Sequence, residues 1–494
     1  MRFNKIKQLA SLPALLLFAA CSSDYVPEYT AYPKDVENII VTKCAVAGCH
    51  NTASSGGAGG IDLSTWDKLF KGGRNGTPVI PYSLDYSYLL SFINTYPDID
   101  SNIMLPTMPQ NAEPLSRTEV MTLRNWVANG APDYAGKIKF ADNPQRSKIY
   151  VANQACDEVA VFDAASKVIM RYVSVGGDDN LIEAPHQVKL SPDGKYWYVL
   201  FYSATIIQKF STADDSYQGS IDIGPGIWNT MTISADGTKG FATSLESAGK
   251  IAYVDLENLQ LIITYTGLSY PHGCWLSPDE HTLYVTTQYG NYINKMDITN
   301  PTSPSTDYVV LEPGQPRTTM STFDPHEIIF SPDGSKYFLS CQYSNEVRVM
   351  QASNDSLLAV LPVGAKPQEF SLSKVRPYLF VTCTEDNTVG ANKKGSVAVI
   401  NYENLSMVST VYAGYQPHGI AVDDDRDYVY VAALNYDTGG PAPHHSTNCG
   451  GRNGYVSIID MKTLQLLNIT TPDGISYTYK NEVLPFPYSV AYRH

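Results

Sequence analysis

Residues 185–202, PHQVKLSPDGKYWYVLFY, hold two strand-like runs around the turn sequence SPDG. The first run alternates apolar and polar residues, and the second is rich in Tyr and Val, which are frequent in strands. In the turn, proline and glycine occupy positions that suit their backbone preferences. The stretch therefore predicts a β-hairpin.

The same pattern returns along the chain at intervals of about 40 to 50 residues, a spacing typical of repeat architectures. The close copies are PHGCWLSPDEHTLYVTTQ (271–288), PHEIIFSPDGSKYFLSCQ (325–342) and PHGIAVDDDRDYVYVAAL (417–434), and the weaker ones are WNTMTISADGTKGFATSL (228–245) and PQEFSLSKVRPYLFVTCT (367–384). Each copy is followed by two more strand-like runs, as in GKIAYVDLENLQLIITYTG (249–267). Four antiparallel strands per repeat make one blade of a β-propeller.

The number of blades follows from where the copies start, near residues 185, 227, 271, 325, 367 and 417. The segment from Lys148 to Val175 holds only three strands, and FPYSVAYR (486–493) matches the inner-strand sequence QPHGIAV. We therefore expect seven blades, with the last strand completing the first blade and leaving no free sheet edge. Across residues 147–494 the repeats resemble the YVTN family of β-propellers.

The N-terminal part of the chain carries KCAVAGCHN (43–51), in which two cysteines are followed directly by a histidine. The usual haem attachment pattern is C-x-x-C-H, and the spacing of Cys44, Cys49 and His50 is two residues longer. The pattern indicates thioether attachment through the two thiols, with His50 binding the iron. A disulfide between Cys44 and Cys49 is the alternative.

Elements around this motif favour haem. YPKDVENIIVTK (32–43) predicts a short helix, and PLSRTEVMTLRNWVANGA (114–131) predicts a second, with Ser116 and Glu119 as a capping box and Gly130 as the stop. Between them lies Met108, which directly precedes a proline and could be the second axial ligand. Met104, in the same loop, is the competing ligand.

Residues 33–137 resemble the planctomycete-type cytochrome c domains. They share a glycine-rich stretch with a following LS, the VIP sequence, Met-Pro, and a C-terminal helix with the pattern LS..E…L..W…GA. They depart from these domains in the longer haem spacing and in having MPQ where the family has MPP. The resemblance implies a small all-α domain with one covalent haem c, the ligand roles falling on Cys44, Cys49, His50 and Met108.

Aligning the blades shows a polar residue at one equivalent position of every inner strand, which should lie near the central channel. These residues are Tyr488, His186, Asn229, His272, His326, Gln368 and His418. The four histidines could bind a second metal. Nitrous oxide reductase and the haem-d nitrite reductases resemble this arrangement only in architecture. Alternatively, each histidine hydrogen-bonds a neighbouring blade.

An insertion in the last blade, NYDTGGPAPHHSTNCGGRNGY (435–455), carries His444, His445 and Cys449. The three side chains could bind a metal, or the insertion could be a solvated loop. Cys341 and Cys383 occupy matching strand positions, where we expect buried thiols and not a disulfide. No nucleophile elbow, phosphate loop or H-E-x-x-H motif occurs in the sequence.

The first residues predict export. MRFNKIKQ is basic, LASLPALLLFAA is apolar, and Cys21 follows two alanines as in a bacterial lipobox. We expect a signal peptide at 1–20, lipidation of Cys21, and a polar tether at 21–32. The net charge of −14 argues against nucleic acid as a partner. Export also permits disulfides, although the scattered cysteines do not indicate a dense framework.

Together these patterns predict a small all-α cytochrome c domain followed by an all-β seven-bladed β-propeller whose C-terminal strand closes the first blade. The predicted function is single-electron transfer by an exported protein, lipid-anchored at the periplasmic face or cell surface of a bacterial membrane. The propeller would dock a redox partner protein. Two alternatives are an oxidoreductase with a His-lined metal site in the propeller and a non-redox binding scaffold.

Overall fold

The computed structural model describes residues 29–178, 180–445 and 449–494. The predicted signal peptide and Cys21 lie outside the described residues, so lipidation stays a prediction. In the described ranges, none of the helices has both the length and the apolar composition needed to cross a bilayer.

Residues 29–147 are built from short helices joined by irregular segments. The α-helices are α1 Lys34–Ile39, α2 Trp66–Leu69, α3 Tyr88–Ile93 and α4 Arg117–Ala128, with a π-helical turn at Ile40–Cys44 and a 3₁₀ turn at Ser55–Ala58. The two predicted helices are confirmed as α1, extended by the π turn, and α4. Ser116 and Glu119 form the complete capping box that the sequence predicts.

The rest of the chain is β-structure. Its strands are β1 Lys148–Asn153, β2 Glu158–Asp163, β3 Val168–Ser174, β4 Pro185–Leu190, β5 Tyr196–Phe201, β6 Ile206–Ser211, β7 Tyr217–Asp222, β8 Trp228–Ile233, β9 Lys239–Ser244, β10 Gly249–Asp255, β11 Gln260–Leu268, β12 Pro271–Leu276, β13 Thr282–Thr287, β14 Tyr292–Asp297, β15 Ser305–Val310, β16 Pro325–Phe330, β17 Lys336–Cys341, β18 Glu346–Gln351, β19 Leu357–Pro362, β20 Pro367–Leu372, β21 Tyr378–Cys383, β22 Ser396–Asn401, β23 Ser406–Val411, β24 Pro417–Asp423, β25 Tyr428–Ala433, β26 Asn453–Asp460, β27 Gln465–Leu466, β28 Asn468–Thr470, β29 Ser476–Thr478, β30 Lys480–Pro485 and β31 Pro487–Arg493.

These strands form seven antiparallel blades, which confirms the predicted propeller. The first blade has the order β3-β2-β1-β31, so its innermost strand comes from the C-terminus. Tyr150 of β1 lies opposite Ala491 of β31. Because the pairing joins the two ends of the propeller, the ring is closed without an unpaired edge at the seam.

The seventh blade departs from the repeat. Its third strand β26 pairs with both β27 and β30, and the hairpin β28–β29 extends outside the blade. The insertion predicted at 435–455 lies between β25 and β26. Its last three residues belong to β26, so the loop itself spans 435–452. Both additions point to the side where the helical segment lies, because residues of each contact that segment.

Several contacts attach the helical segment to the propeller, and three of them involve Gly56 and Tyr86. The Gly56 amide donates to the Asp473 carboxylate at 3.0 Å. The rings of Tyr86 and Tyr172 pack with centroids 4.5 Å apart. The Tyr86 hydroxyl also donates to Oε1 of Glu158 at 3.4 Å. Buried residues of the two parts belong to one continuous apolar cluster, from Val36 in α1 to Phe210 in β6.

Candidate functional site

The two thiols and the imidazole of KCAVAGCHN are brought together by a tight loop. The chain leaves the π turn at Cys44, and the His50 amide donates to the Cys44 carbonyl at 3.1 Å. The Cys49 amide donates to the Val46 carbonyl at 3.1 Å, and Gly48 takes a positive φ of 83° between them. The longer spacer is thus folded back on itself, so that all three side chains line the same cavity.

This cavity has a volume of about 400 Å³ and is lined by Cys44, Cys49, His50 and Met108. Its volume falls in the range of about 300–1,000 Å³ that is usual for cofactor sites. The walls are largely apolar, and they include Ile61, Leu63, Pro78, Leu89, Phe92 and Ile93. At Gly48, Gly57 and Gly59, no atom lies within 4 Å of the point that a Cβ would occupy. The lining therefore leaves room for a large flat group beside the thiols.

His50 is oriented by its backbone surroundings. Its Nδ1 lies 3.2 Å from the Ile61 carbonyl oxygen, to which it donates as N–H. Burial lowers the pKa of His50, so the imidazole is neutral at neutral pH. The remaining nitrogen, Nε2, then carries a free lone pair, which is the form that binds a metal ion.

The two methionines of the loop lie in different cavities. Met108 lines the 400 Å³ cavity, and its amide donates to the Phe92 carbonyl at 2.7 Å. Met104 lines a separate cavity of about 40 Å³ between the helical segment and the propeller, together with Tyr86 and His445. The geometry therefore places Met108, and not Met104, with the thiols. Its role as an iron ligand stays a prediction.

Cys44 and Cys49 are both free thiols, so the alternative of a disulfide between them is not realised here. Burial raises the pKa of Cys44 to about 12, which keeps this thiol protonated at neutral pH. A protonated, partly buried thiol is a poor nucleophile, and its attachment to any group would depend on a separate enzyme or on activation.

The propeller contributes one wall of the cavity through the 435–452 insertion. His444 lines the cavity, and its ring centroid lies 5.2 Å from that of Phe92. The neighbouring His445 ring stacks on Tyr88 at 4.1 Å. The amides of His444 and His445 both donate to the Glu482 carboxylate, at 2.7 and 2.9 Å. The insertion is therefore fixed against the helical segment.

Cys449 forms a disulfide with Cys156, which rules out one of the two alternatives for the insertion, a metal site formed by His444, His445 and Cys449 together. The thiol is consumed by the covalent bond and cannot act as a thiolate ligand. The sequence did not indicate this pairing, because the two cysteines are 293 residues apart. They meet because closure of the ring sets the seventh blade beside the first. Cys341 and Cys383 are buried and free, as predicted.

The seven polar positions do form a ring, since each is the second residue of an innermost strand. Six of them are buried: His186, Asn229, His272, His326, Gln368 and His418. The rings of His272 and His326 lie 3.8 Å apart, and those of His418 and Tyr488 lie 3.7 Å apart. Burial lowers the pKa of all four histidines, to about 4 for His272 and about 3 for His418.

Three of the four histidines hydrogen-bond a neighbouring blade, which is the alternative to metal binding. Nδ1 of His186 lies 2.9 Å from Nε2 of Gln154 in the first blade, and the other two contact backbone carbonyls. Nδ1 of His272 lies 3.1 Å from the His326 carbonyl, and Nδ1 of His418 lies 2.9 Å from the Tyr488 carbonyl. The glycine that follows His272 and the one that follows His418 permit this close approach to the carbonyls. A Cβ at Gly273 would lie 2.7 Å from the His326 carbonyl oxygen, and one at Gly419 would lie 2.6 Å from that of Tyr488. The Pro-His-Gly sequence thus serves close contact between inner strands.

Hydroxyl groups on the second strands link successive blades at the ring. Each donates to the carbonyl of the ring residue in the next blade, and the donors are Thr243, Thr286, Ser340 and Thr382, acting on His272, His326, Gln368 and His418. The Thr382 hydroxyl also accepts from the Glu369 amide at 3.1 Å. This repeated hydrogen bond fixes the backbone behind the ring histidines.

Sequence reasoning missed two carboxylates next to the ring, the buried Glu327 and the half-buried Glu369. Burial raises the pKa of Glu369 to about 7 and raises that of Glu327 as well. One ligand atom each from His326, Glu369 and His418 lies within 4.8 Å of the others. The sequence did contain a pattern that could have pointed to these two residues, because the residue after each ring position is small or polar in every blade.

No protein-family model and no curated protein matches the sequence. Similar solved structures include a proposed 6-phosphogluconolactonase from Bacteroides uniformis, with a TM-score of 0.52 and 14% identity, covering 70% of this chain and 99% of that one. A protein of unknown function from Desulfotomaculum acetoxidans has a TM-score of 0.50 and 13% identity, with coverages of 68% and 99%. Both likenesses show the propeller fold alone.

Dihydro-haem d1 dehydrogenase NirN is also similar, with 13% identity and coverages of 81% of this chain and 92% of that one. Its TM-score of 0.47 is too low to bear on function.

Proposed function

We propose that this chain is an exported c-type cytochrome that carries one covalent haem in residues 33–137 and passes single electrons to or from a redox partner protein. The observation that carries the proposal is the convergence of Cys44, Cys49, His50 and Met108 on one apolar cavity of about 400 Å³. Two thiols, an imidazole and a thioether are the donor set that a covalently held, six-coordinate haem requires.

Each of the four residues would have its own role in holding the haem. Cys44 and Cys49 would form the thioether bonds, and His50, through Nε2, and Met108 would hold the iron. When bound, the haem supplies a one-electron redox centre. The Ile61 carbonyl holds the His50 ring in the tautomer needed for ligation. The largely apolar walls and the methionine ligand would both favour a high reduction potential.

Contact with a partner protein is supported by exposed apolar side chains close in sequence to the residues that line the cavity. Val46, between the two thiols, is 37% exposed, and Leu105, near Met108, is 79% exposed. Small exposed apolar surfaces of this kind suit transient electron-transfer contacts. Because His444 and its insertion form one wall, a partner docked on the propeller at this side would lie close to the cavity.

Export and lipid anchoring belong to the same proposal. The disulfide between Cys156 and Cys449 supports an oxidising compartment, since such bonds are rare in the cytosol. Cys21 would carry the lipid that tethers the protein to a bacterial membrane.

The test is expression of the full chain in a bacterial host with a haem-maturation system, followed by a pyridine haemochrome spectrum and an intact mass. We expect one haem per chain, covalently attached. Cys44→Ser and Cys49→Ser should each remove one thioether and change the haemochrome, whereas Cys341→Ser, a buried free thiol far from the cavity, should leave it unchanged. Colourless protein with no added mass contradicts the proposal.

A further inference from the structure

We propose that His326, Glu369 and His418 form a binding site for one divalent first-row transition-metal ion in the central channel of the propeller. The three residues come from the innermost strands β16, β20 and β24 of consecutive blades. Their ligand atoms lie within 4.8 Å of one another. Atoms that bind one such ion at about 2.0–2.2 Å lie up to about 4.3 Å apart, so a small side-chain rotation closes the site.

The histidines are buried without hydrogen-bond partners for their free nitrogens. His326 and His418 are each 3% exposed. Within the described residues, neither Nδ1 nor Nε2 of His326 has a hydrogen-bond partner, and Nε2 of His418 has none. Burying a polar atom without a partner is costly, so three such nitrogens in one cluster favour a bound group between them.

The protonation state of His418 is the one that a metal requires. Its Nδ1 donates to the Tyr488 carbonyl at 2.9 Å, which leaves the Nε2 lone pair free. The adjacent Tyr488 ring, 3.7 Å away, fixes the orientation of the imidazole. His326 is similarly packed against the His272 ring at 3.8 Å.

The backbone of the site is fixed by a single hydroxyl. Thr382 donates to the His418 carbonyl at 2.7 Å and accepts from the Glu369 amide at 3.1 Å. Two of the three ligands are therefore joined through one side chain of the second strand in the sixth blade. Pre-positioned ligands lose less conformational entropy when they bind an ion.

The chemistry of the donors selects the kind of ion. Two imidazoles and one carboxylate suit Zn²⁺ and Fe²⁺, and they do not suit Ca²⁺ or Mg²⁺, which prefer oxygen. Three protein ligands also leave at least one coordination position open for water or a substrate. The site is thus distinct from the cavity that holds Cys44, Cys49 and His50, and it is independent of the haem proposed there.

The experiment uses full-length, haem-loaded protein, because free Cys44, Cys49 and His50 could themselves take up zinc. Metal is removed with a chelator, haem is counted by pyridine haemochrome, and Zn²⁺ binding is titrated, with Co²⁺ as a spectroscopic probe. We expect one Zn²⁺ per chain and a Co²⁺ spectrum of low coordination number. His418→Gln and Glu369→Gln should each weaken binding by at least ~100-fold, since removing one of three ligands exceeds the 10–100-fold effect of outer-shell changes.

The matched control is His186→Gln. His186 occupies the same ring position in another blade but lies outside the cluster, and glutamine is tolerated at this position because Gln368 occupies it in the sixth blade. It should bind Zn²⁺ as the wild type does, and thermal unfolding should show that all three variants are folded. Wild-type protein that takes up no Zn²⁺ would overturn the proposal, and so would unchanged affinity in His418→Gln and Glu369→Gln.

Discussion

At the scale of single residues, the same type of hydrogen bond orients three imidazole rings, those of His50, His272 and His418. Each places Nδ1 within 3.2 Å of a backbone carbonyl oxygen. The carbonyl fixes both the tautomer and the ring orientation, and it leaves Nε2 as the basic nitrogen. In the helical segment this hydrogen bond orients His50, the proposed haem ligand. In the propeller it orients His272 and His418, and the carbonyl belongs to the neighbouring blade.

Substitution of the two methionines of the loop tests which of them is the iron ligand. Met108→Ala should lower the reduction potential on the order of 0.1 V, a fraction of the about 0.8 V that axial ligands span. It should also remove the sulfur-to-iron charge-transfer band of the oxidised protein. Met104→Ala is the matched control, because Met104 lines the other cavity. Spectroelectrochemical titration checks both, and a potential that falls only in Met104→Ala would refute the assignment.

Glu158, at the contact between the helical segment and the first blade, gives a pH dependence. Burial raises its pKa to about 7, above the usual value of 4.5, so the folded state binds the proton more tightly than the unfolded state. Its contribution to stability is complete below pH 4.5 and is lost as pH rises through 7. Glu158→Gln should therefore raise the free energy of unfolding at pH 8 by on the order of 1–3 kcal/mol and leave it unchanged at pH 4.5.

Denaturant unfolding at the two pH values measures this effect. Glu312→Gln, an exposed carboxyl, is the control and should change neither value. Equal effects of Glu158→Gln at both pH values would show that the carboxyl is not titrating between them.

At the scale of elements, α4 follows its sequence closely. Val120, Leu123, Trp126 and Val127 are buried, as their spacing predicts, and Gly130 takes a positive φ of 90° just beyond the helix end. These features depend on residues within one or two helical turns of each other, so they can be predicted without knowledge of the rest of the fold.

Removal of the α4 capping box gives an element-scale prediction. Ser116→Ala should lower the free energy of unfolding by about 1 kcal/mol, because the Glu119 amide loses its side-chain acceptor. Thr118→Ala, two residues further on at an exposed position, should have little effect. The measurement is chemical denaturation, and an equal loss in both variants would contradict a capping role.

The disulfide that anchors the insertion in the seventh blade gives a second element-scale prediction. Cys156→Ser combined with Cys449→Ser should lower the free energy of unfolding by about 2–4 kcal/mol, because the unfolded chain is no longer cross-linked. Cys341→Ser combined with Cys383→Ser tests the removal of two unpaired thiols. Non-reducing peptide mapping should recover the Cys156–Cys449 peptide from exported wild-type protein; free thiols at both positions would refute the bond.

At the scale of the whole molecule, the ring is closed by β31, which pairs with β1 and supplies Tyr488 to the central ring. Removal of residues 487–494 should abolish cooperative unfolding of the propeller, because the first blade loses its innermost strand and the ring opens. Removal of His494 alone, which lies beyond the strand, should be tolerated. Circular dichroism during heating measures both, and a cooperative transition in the shorter chain would contradict the closure.

Much of the fold could be predicted from the sequence because the strands of most blades follow one another directly along the chain. SPDG turns, alternating strands and the Pro-His pairs recur, and the three-strand remainder at 148–175 required a fourth strand from elsewhere. The same holds for the cysteine–cysteine–histidine motif and the Met-Pro loop, whose residues the structure brings to one cavity.

The sequence by itself determined the repeating β-architecture, the helix ends and the candidate residues for haem binding, because each depends on neighbours along the chain. Only the tertiary structure decided that Cys449 bonds to Cys156, that His444 faces the cavity of the helical segment, and that Glu369 lies with His326 and His418. These contacts join residues far apart in the chain. They exist because closure of seven blades sets the first beside the last and directs the inner strands to one axis.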